Sequence, residues 1–308
     1  MHTLWKKVSR HLALGAAWYL PEQRRIALER RLRGREEARK LALCDAAIVS
    51  YGKSGRTWLR VMLSRFYQTK YGLSSRQLLG FDNLHRQSSS IPKLFFTHDN
   101  YLKDYTGHAN SKADYAGHKV ILLVRDPRDV AVSQFFQWKY RMRPAKKILN
   151  QYPPHDSDIS LFDFVMYETA GLPKIIDFLN LWAEEMPKLD DLLLVRYEDL
   201  RSDTAGQMRR ITDFLETPGT EEEIRDAVEY ASVDNMRKLE QEKKFWLSGS
   251  RMVPKDKANP NSYKVRRAKV GGWRDYFDDE QVVRIEAYVN ERLDPVYHYT
   301  QTKQAVNA

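Results

Sequence analysis

The stretch AIVSYGKSGRTWLR, residues 47–60, decides the fold. Ile48, Val49, Ser50 and Tyr51 have strand character, Gly52-Lys53-Ser54-Gly55 interrupts it, and a helical segment opens at about Thr57. Two glycines around a lysine, set between a buried strand and a helix start, let backbone N–H groups come close to an anion. The helix dipole and the lysine ammonium add positive potential. The spacing predicts a phosphate-binding loop.

Outward from this loop, strand and helix patterns alternate. Strands are expected at 46–51, 93–97, 119–124 and 191–196, and helices at 57–69, from Asp126 onward, 161–182, 203–215, 221–230 and 279–293. KVILLV at 119–124 is nearly all apolar, as a strand buried on both faces must be. Asp126-Pro127-Arg128-Asp129 supplies an N-cap, a proline in the first turn and an acid near the helix start. Arg128 is expected to cap that helix or pair with Asp129. Residues 140–159 and 243–270 read as basic loops, and Phe135, Phe136, Trp138 and Tyr140 as mainly core. The pattern predicts an α/β domain, a central, mostly parallel sheet flanked by helices, with ligands at the carboxyl ends of its strands. The expected organisation is a basic amphipathic segment over 1–43, the α/β domain over 44–300 and a tail over 301–308. The first segment suits a helix lying on the domain, on a partner or on an anionic membrane face.

Composition narrows the class. A hydrophobic fraction of 42% supports a packed core and excludes global disorder. The net charge of +10 permits nucleic acid, anionic lipid, an acidic polymer or a phosphorylated cosubstrate, and selects none of them. Cys44 is the only cysteine, which excludes an intrachain disulfide and a cysteine-based zinc site. The apolar run at 12–20 has about half of the ~20 residues a spanning helix needs, and no N-x-Ser/Thr acceptor occurs. The expected location is the cytoplasm, with peripheral contact at the inner membrane face through the N-terminal segment.

Each strand ends in reactive groups: Lys53 in the first loop, His98 after the second strand, Arg125 after the third with Ser133 two turns on, and Tyr197 after the fourth. In a parallel sheet these land on one rim. They form a site for an anionic nucleotide with a titratable group beside it. The first loop misses the Walker A pattern by one residue, Ala47 in place of glycine. That keeps open a metal-dependent nucleotide kinase or NTPase, and a basic adaptor without catalysis.

The four motifs taken together resemble a family. YGKSGRTW (51–58) is similar to the 5′-phosphosulfate loop of PAPS-dependent sulfotransferases, YPKSGTxW, and LLVRDPRDVAVS (122–133) to their 3′-phosphate motif. VRYEDL (195–200) resembles their adenine-side strand end, and KVRRAKVGGWRDYF (264–277) their late motif RKGxxGDWK. The motifs occur in the family's order. The resemblance implies a P-loop-like sulfotransferase fold and transfer of a sulfuryl group from PAPS to an acceptor hydroxyl, leaving 3′,5′-bisphosphoadenosine (PAP). It implies that Lys53 steadies the leaving group and that Ser54, Gly55, Arg56 and Thr57 wrap the 5′-phosphate. Trp58 would stack on adenine with Tyr197 on its other side, and Arg125, Ser133, Arg266 and Arg267 would hold the 3′-phosphate. His98 would be the general base, making Lys53, His98 and Ser133 the catalytic candidates. No metal is required, because lysine and arginine already face the anion.

This chain departs from the family pattern at several positions. Gly52 stands for the usual proline, Arg56 for threonine, Ala268 for glycine and Gly272 for aspartate; Phe96 and Asp99-Asn100 flank His98 in place of the usual residues. The basic loops, which carry Tyr152, Phe245, Trp246 and Tyr263, suit a saccharide through stacking or an anionic acceptor through charge. The expected acceptor is a glycan or glycolipid hydroxyl, with a small phenol or alcohol as the alternative and no nucleic-acid partner.

Overall fold

Strands β1 (Ala46–Val49), β2 (Leu94–Thr97), β3 (Lys119–Val124) and β4 (Leu192–Arg196) form one parallel sheet in the order β2-β1-β3-β4. The computed structural model describes residues 12–245, 252, 253, 255, 256 and 258–301. The segment's first eleven residues, Trp246 and the tail beyond 301 lie outside the described residues. Val49 sits level with Thr97 and with Leu122, and Val124 with Arg196, so all four strands end at the same rim.

The alternation of side chains splits the core in two, as a period of two requires. Ile48, Ile121 and Leu123 face one core with Leu63 and Phe66. Val49, Val120, Leu122 and Val124 face another with Ile175, Trp182 and Ile285. The principal helices are α1 (Glu22–Leu41), α2 (Arg56–Lys70), α3 (Pro127–Tyr140), α4 (Pro144–Leu149), α5 (Leu172–Glu185), α6 (Thr204–Phe214), α7 (Glu221–Tyr230), α8 (Val233–Gln241) and α9 (Asp279–Arg292). α2 and α7 cover the first face, and α3, α5 and α9 the second.

Several boundaries differ from the sequence reading, each for a local reason. β1 stops at Val49 because Ser50 keeps only one ladder bond, to the Thr97 carbonyl at 3.3 Å, before the loop turns away. The expected helix over 161–182 is two: Leu161–Val165, then α5, which restarts with a proline in its first turn. The basic loop 140–159 contains α4, opened by Pro144. α3 begins as read, with the Asp126 carboxylate accepting from the Arg128 N–H at 2.9 Å. Arg128 itself pairs with Asp126 at 2.8 Å and donates to the Tyr299 carbonyl, not to Asp129. Of the aromatic run, Phe135 and Trp138 are buried against Phe164.

α1 lies against the domain beyond β2. Arg30 pairs with Asp104 at 3.0 Å and donates to the Leu149 and Asn100 carbonyls. Glu37 accepts from the Thr97 hydroxyl and the Tyr101 N–H. The helix comes so close that a Cβ at Gly34 would stand 2.2 Å from the Tyr101 carbonyl oxygen. Gly34→Ala is therefore expected to cost about 1–3 kcal/mol of unfolding free energy, read in a denaturant titration. An unchanged midpoint would contradict this docking of α1.

Candidate active site

One cavity of about 1010 Å³ opens at the carboxyl rim. Lys53, Gly55, Arg56, Thr57, Trp58, His98, Arg125, Ser133, Tyr197, Arg266 and Arg267 all line it. Of the residues expected there, Ser54 alone does not: its side chain is buried at 1% exposure behind the loop. Lys53 and Gly55 both carry left-handed backbone, with φ of 76° and 92°. At Gly55 a Cβ would also lie 2.6 Å from the Tyr197 ring, so the loop turns where only glycine fits.

Cations crowd the loop. Burial, followed by the charges of Arg141, Arg125 and Arg266, lowers the Lys53 ammonium to about 7. Burial and Lys53 together hold Lys264 well below the usual lysine range. Arg125 lies 4.3 Å over the Tyr197 ring, bonds the Lys269 carbonyl at 3.1 Å and pairs with Asp129 at 3.2 Å. Its Nε is buried without a hydrogen-bond partner among the described residues. An anionic oxygen would satisfy it.

The late loop is tied to this wall through Asp129, which accepts from the N–H groups of Gly271 and Trp273 at 2.9 and 3.0 Å. Arg266 stacks 3.7 Å over the Phe136 ring and bonds the Tyr276 hydroxyl. Arg267 donates to the same hydroxyl at 3.1 Å and pairs with Asp275 at 3.0 Å. Trp58 and Tyr197 meet edge to face, centroids 5.8 Å apart, so they are not two parallel plates that clamp a base. Trp58 is fixed by its indole N–H on the Ala231 carbonyl at 2.8 Å, and Tyr197 is buried beneath Gly55 and Arg125 as a support.

The His98 ring is pinned at both nitrogens. Nδ1 bonds the Ser50 carbonyl at 2.8 Å. A carbonyl only accepts, so Nδ1 carries the hydrogen and Nε2 the lone pair. That lone pair accepts from the Arg56 guanidinium at 2.5 Å. Burial and then Arg56 push the imidazole well below the usual histidine range, so it is neutral at pH 7.

The sulfotransferase domain family matches residues 43–296. The chain belongs to that family. It is 26% identical to cytosolic sulfotransferase 15 of Arabidopsis thaliana, over 81% of this chain and 72% of that protein. It is 24% identical to flavonol 3-sulfotransferase of Flaveria bidentis, over 81% of each chain. It is 26% identical to sulfotransferase 2A6 of Rattus norvegicus, over 81% and 84%. Mouse sulfotransferase SULT7A1, solved with PAP, superposes with a TM-score of 0.55 at 21% identity, covering 83% of this chain and 89% of that one. That likeness shows the fold.

Three residues at or behind this cavity escaped the sequence reading. Glu240, fully buried on α8, accepts from the Lys264 and Val265 N–H groups at 2.7 and 3.1 Å and pairs with Arg141 at 3.3 Å. It anchors the start of the late loop, while Arg141 and Lys264 add charge beside Lys53. Only an acid near the end of a short polar helix signalled it, and that helix was unread. Phe245 was expected near the acceptor and is instead buried core. Tyr152 does line the cavity, and Tyr263 does not.

Proposed function

We propose that this sulfotransferase carries the sulfuryl group of PAPS to a hydroxyl of a glycan or glycolipid by in-line displacement, with His98 as general base. One observation carries the reading: a single cavity brings the Lys53–Trp58 loop, the Arg125–Ser133 pair and the Arg266–Arg267 pair to one wall, with His98 at the next strand end. These are two separated cationic stations beside an aromatic face, the complement of an adenosine with phosphates at 3′ and 5′. PAP is the nucleotide in the solved SULT7A1.

Lys53 and the Arg56–Thr57 helix start hold the 5′-phosphosulfate, and Trp58 stacks on adenine with Tyr197 supporting the loop. Ser54 contributes through its backbone. Arg125, whose Nε waits for an acceptor, holds the 3′-phosphate with Ser133, Arg266 and Arg267. The acceptor oxygen attacks sulfur, its proton passes to His98 Nε2, and the sulfur–oxygen bond to the nucleotide breaks. Charge that collects on the leaving phosphate is met by Lys53. Arg56 must leave Nε2 first, and the arriving phosphosulfate is the stronger partner for a guanidinium. Gly55→Ala would force strained backbone and push Tyr197 aside; PAP affinity is expected to fall roughly 5- to 30-fold, a left-handed penalty of roughly 1–2 kcal/mol, measured by calorimetry.

A glycan acceptor is supported by Tyr152, an aromatic residue on the cavity wall. Cytoplasmic location with peripheral contact at the inner membrane face is supported by exposed Leu12, Trp18 and Tyr19 next to the arginine-rich α1. No helix among the described residues is long and apolar enough to cross a membrane. The test is transfer from labelled PAPS, in EDTA, to a panel of glycans, glycolipids and phenols. Label on sugar hydroxyls is the expected result. Label on phenols alone would overturn the acceptor, and magnesium-dependent ATP turnover without transfer would overturn the reaction.

A further inference from the structure

The sheet order separates the two ends of the cavity. Donor groups follow β4, β3 and β1, while β2, at the edge, delivers His98. Beyond β2 the wall is made by α1, α4 and the start of α5, which supply Arg33, Lys146 and Lys174. These are the groups an acceptor hydroxyl would pass on its way to His98 Nε2.

The charge there is one-sided. Among the described residues, only two carboxylates line the cavity, Glu29 and Asp129. Asp129 is engaged on the donor side by Arg125, Gly271 and Trp273. Glu29 is held by Arg33 at 2.5 Å. Lys146 is exposed to the cavity, and no carboxylate offsets it: surrounding protein, then Arg33 and Arg56, push its ammonium down. Lys174 donates to the Asn150 carbonyl at 3.1 Å and is lowered to about 8 by burial and by Arg30 and Lys103. Its Nζ lies 5.6 Å over the Tyr152 ring. Arg30 bolts α1 to Asp104 and to the Leu149 carbonyl, so this corner is a fixed wall and not a set of loose surface lysines. Lys146 and Lys174, with no carboxylate against them among the described residues, are relieved by an anion and gain more from it than solvated cations would, while Arg33, paired with Glu29, adds its field beside them.

We infer that Arg33, Lys146 and Lys174 form a subsite for an anionic substituent on the acceptor, placing an acidic sugar with its hydroxyl toward His98. This rests on the donor-site reading above, since the neighbouring cations are assigned there to PAPS. A carboxylate and a phosphate ester present the same chemistry to the three cations, and the acceptor classes are separated by the ligands used.

The experiment is calorimetric titration of the PAP-saturated protein, so that the donor stations are blocked. The ligands are methyl glucoside, methyl glucuronide and methyl glucoside 6-phosphate. At least one of the two anionic glycosides is expected to bind at least tenfold more tightly than the neutral one, and which of them does so names the anion. Lys146→Gln, at an exposed position, should erase most of that ratio while leaving PAP affinity unchanged, and Lys174→Gln should lower it further. Equal affinities for all three glycosides, no binding of any, or a ratio that survives both substitutions in a folded protein overturns the subsite. Failure to bind PAP at the outset overturns the donor-site reading, and the subsite with it.

Discussion

Lys53→Ala should lower the rate of sulfuryl transfer by about a thousandfold, the loss seen when one preorganised charge partner of a transition state is removed. PAP binding should weaken far less, because in the proposed complex Arg125, Arg266 and Arg267 still reach the nucleotide. The reason lies in when the charge appears. In the proposed mechanism Lys53 faces only part of a spread negative charge in the bound donor, and a localised one as the bridging bond breaks. Its ammonium stands at about 7 in the ligand-free protein because buried cations surround it. A bound phosphate restores the charge, so above pH 7 the complex holds a proton that the free protein lacks. Affinity is then level below about pH 7 and falls by up to tenfold per pH unit above it. Lys264, lowered in the same way, adds to that slope in the same direction. In Lys53→Ala the slope should be shallower, which calorimetry across pH reads directly.

His98→Gln should cost roughly 10²–10⁴ in turnover, the contribution of a positioned general base, with PAP affinity retained. Burial does most to lower its base strength, and Arg56, whose guanidinium caps Nε2, adds a further depression of the imidazole. Arg56→Thr, which restores the residue usual in the family motif, removes that depression. The base must be neutral to act, so raising its pKa moves the acid limb of the turnover profile to higher pH. The variant should therefore lose activity sooner than the parent protein as pH falls. An unmoved acid limb would show that another group sets it.

How much of this could be read from residues varied with what each residue has to do. KVILLV at 119–124 was legible to the residue, because a strand buried on both faces has to be apolar throughout. The capped start of α3 was legible because Asp126 and Pro127 act locally. The placement of Lys53, Arg125 and His98 at one rim was legible because parallel strands of similar length end together. Glu240 was not, since it acts across the fold on Lys264 and Val265 from a short polar helix. The Arg56–His98 contact was hidden for the same reason: the two residues stand 42 positions apart, and nothing near either one announces the other. The break before α5 and the presence of α4 turned on prolines that start helices inside stretches read as continuous.

The central claim is that this cavity is built for a nucleotide carrying phosphates at both 3′ and 5′. Calorimetry of PAP against 5′-AMP, in EDTA, tests it most directly. Two charge-assisted hydrogen bonds to the 3′-phosphate, at about 1.5 kcal/mol each, predict that PAP binds ~100-fold more tightly than 5′-AMP. Equal affinities for the two, or a strong preference for magnesium ATP over PAP, would contradict the account.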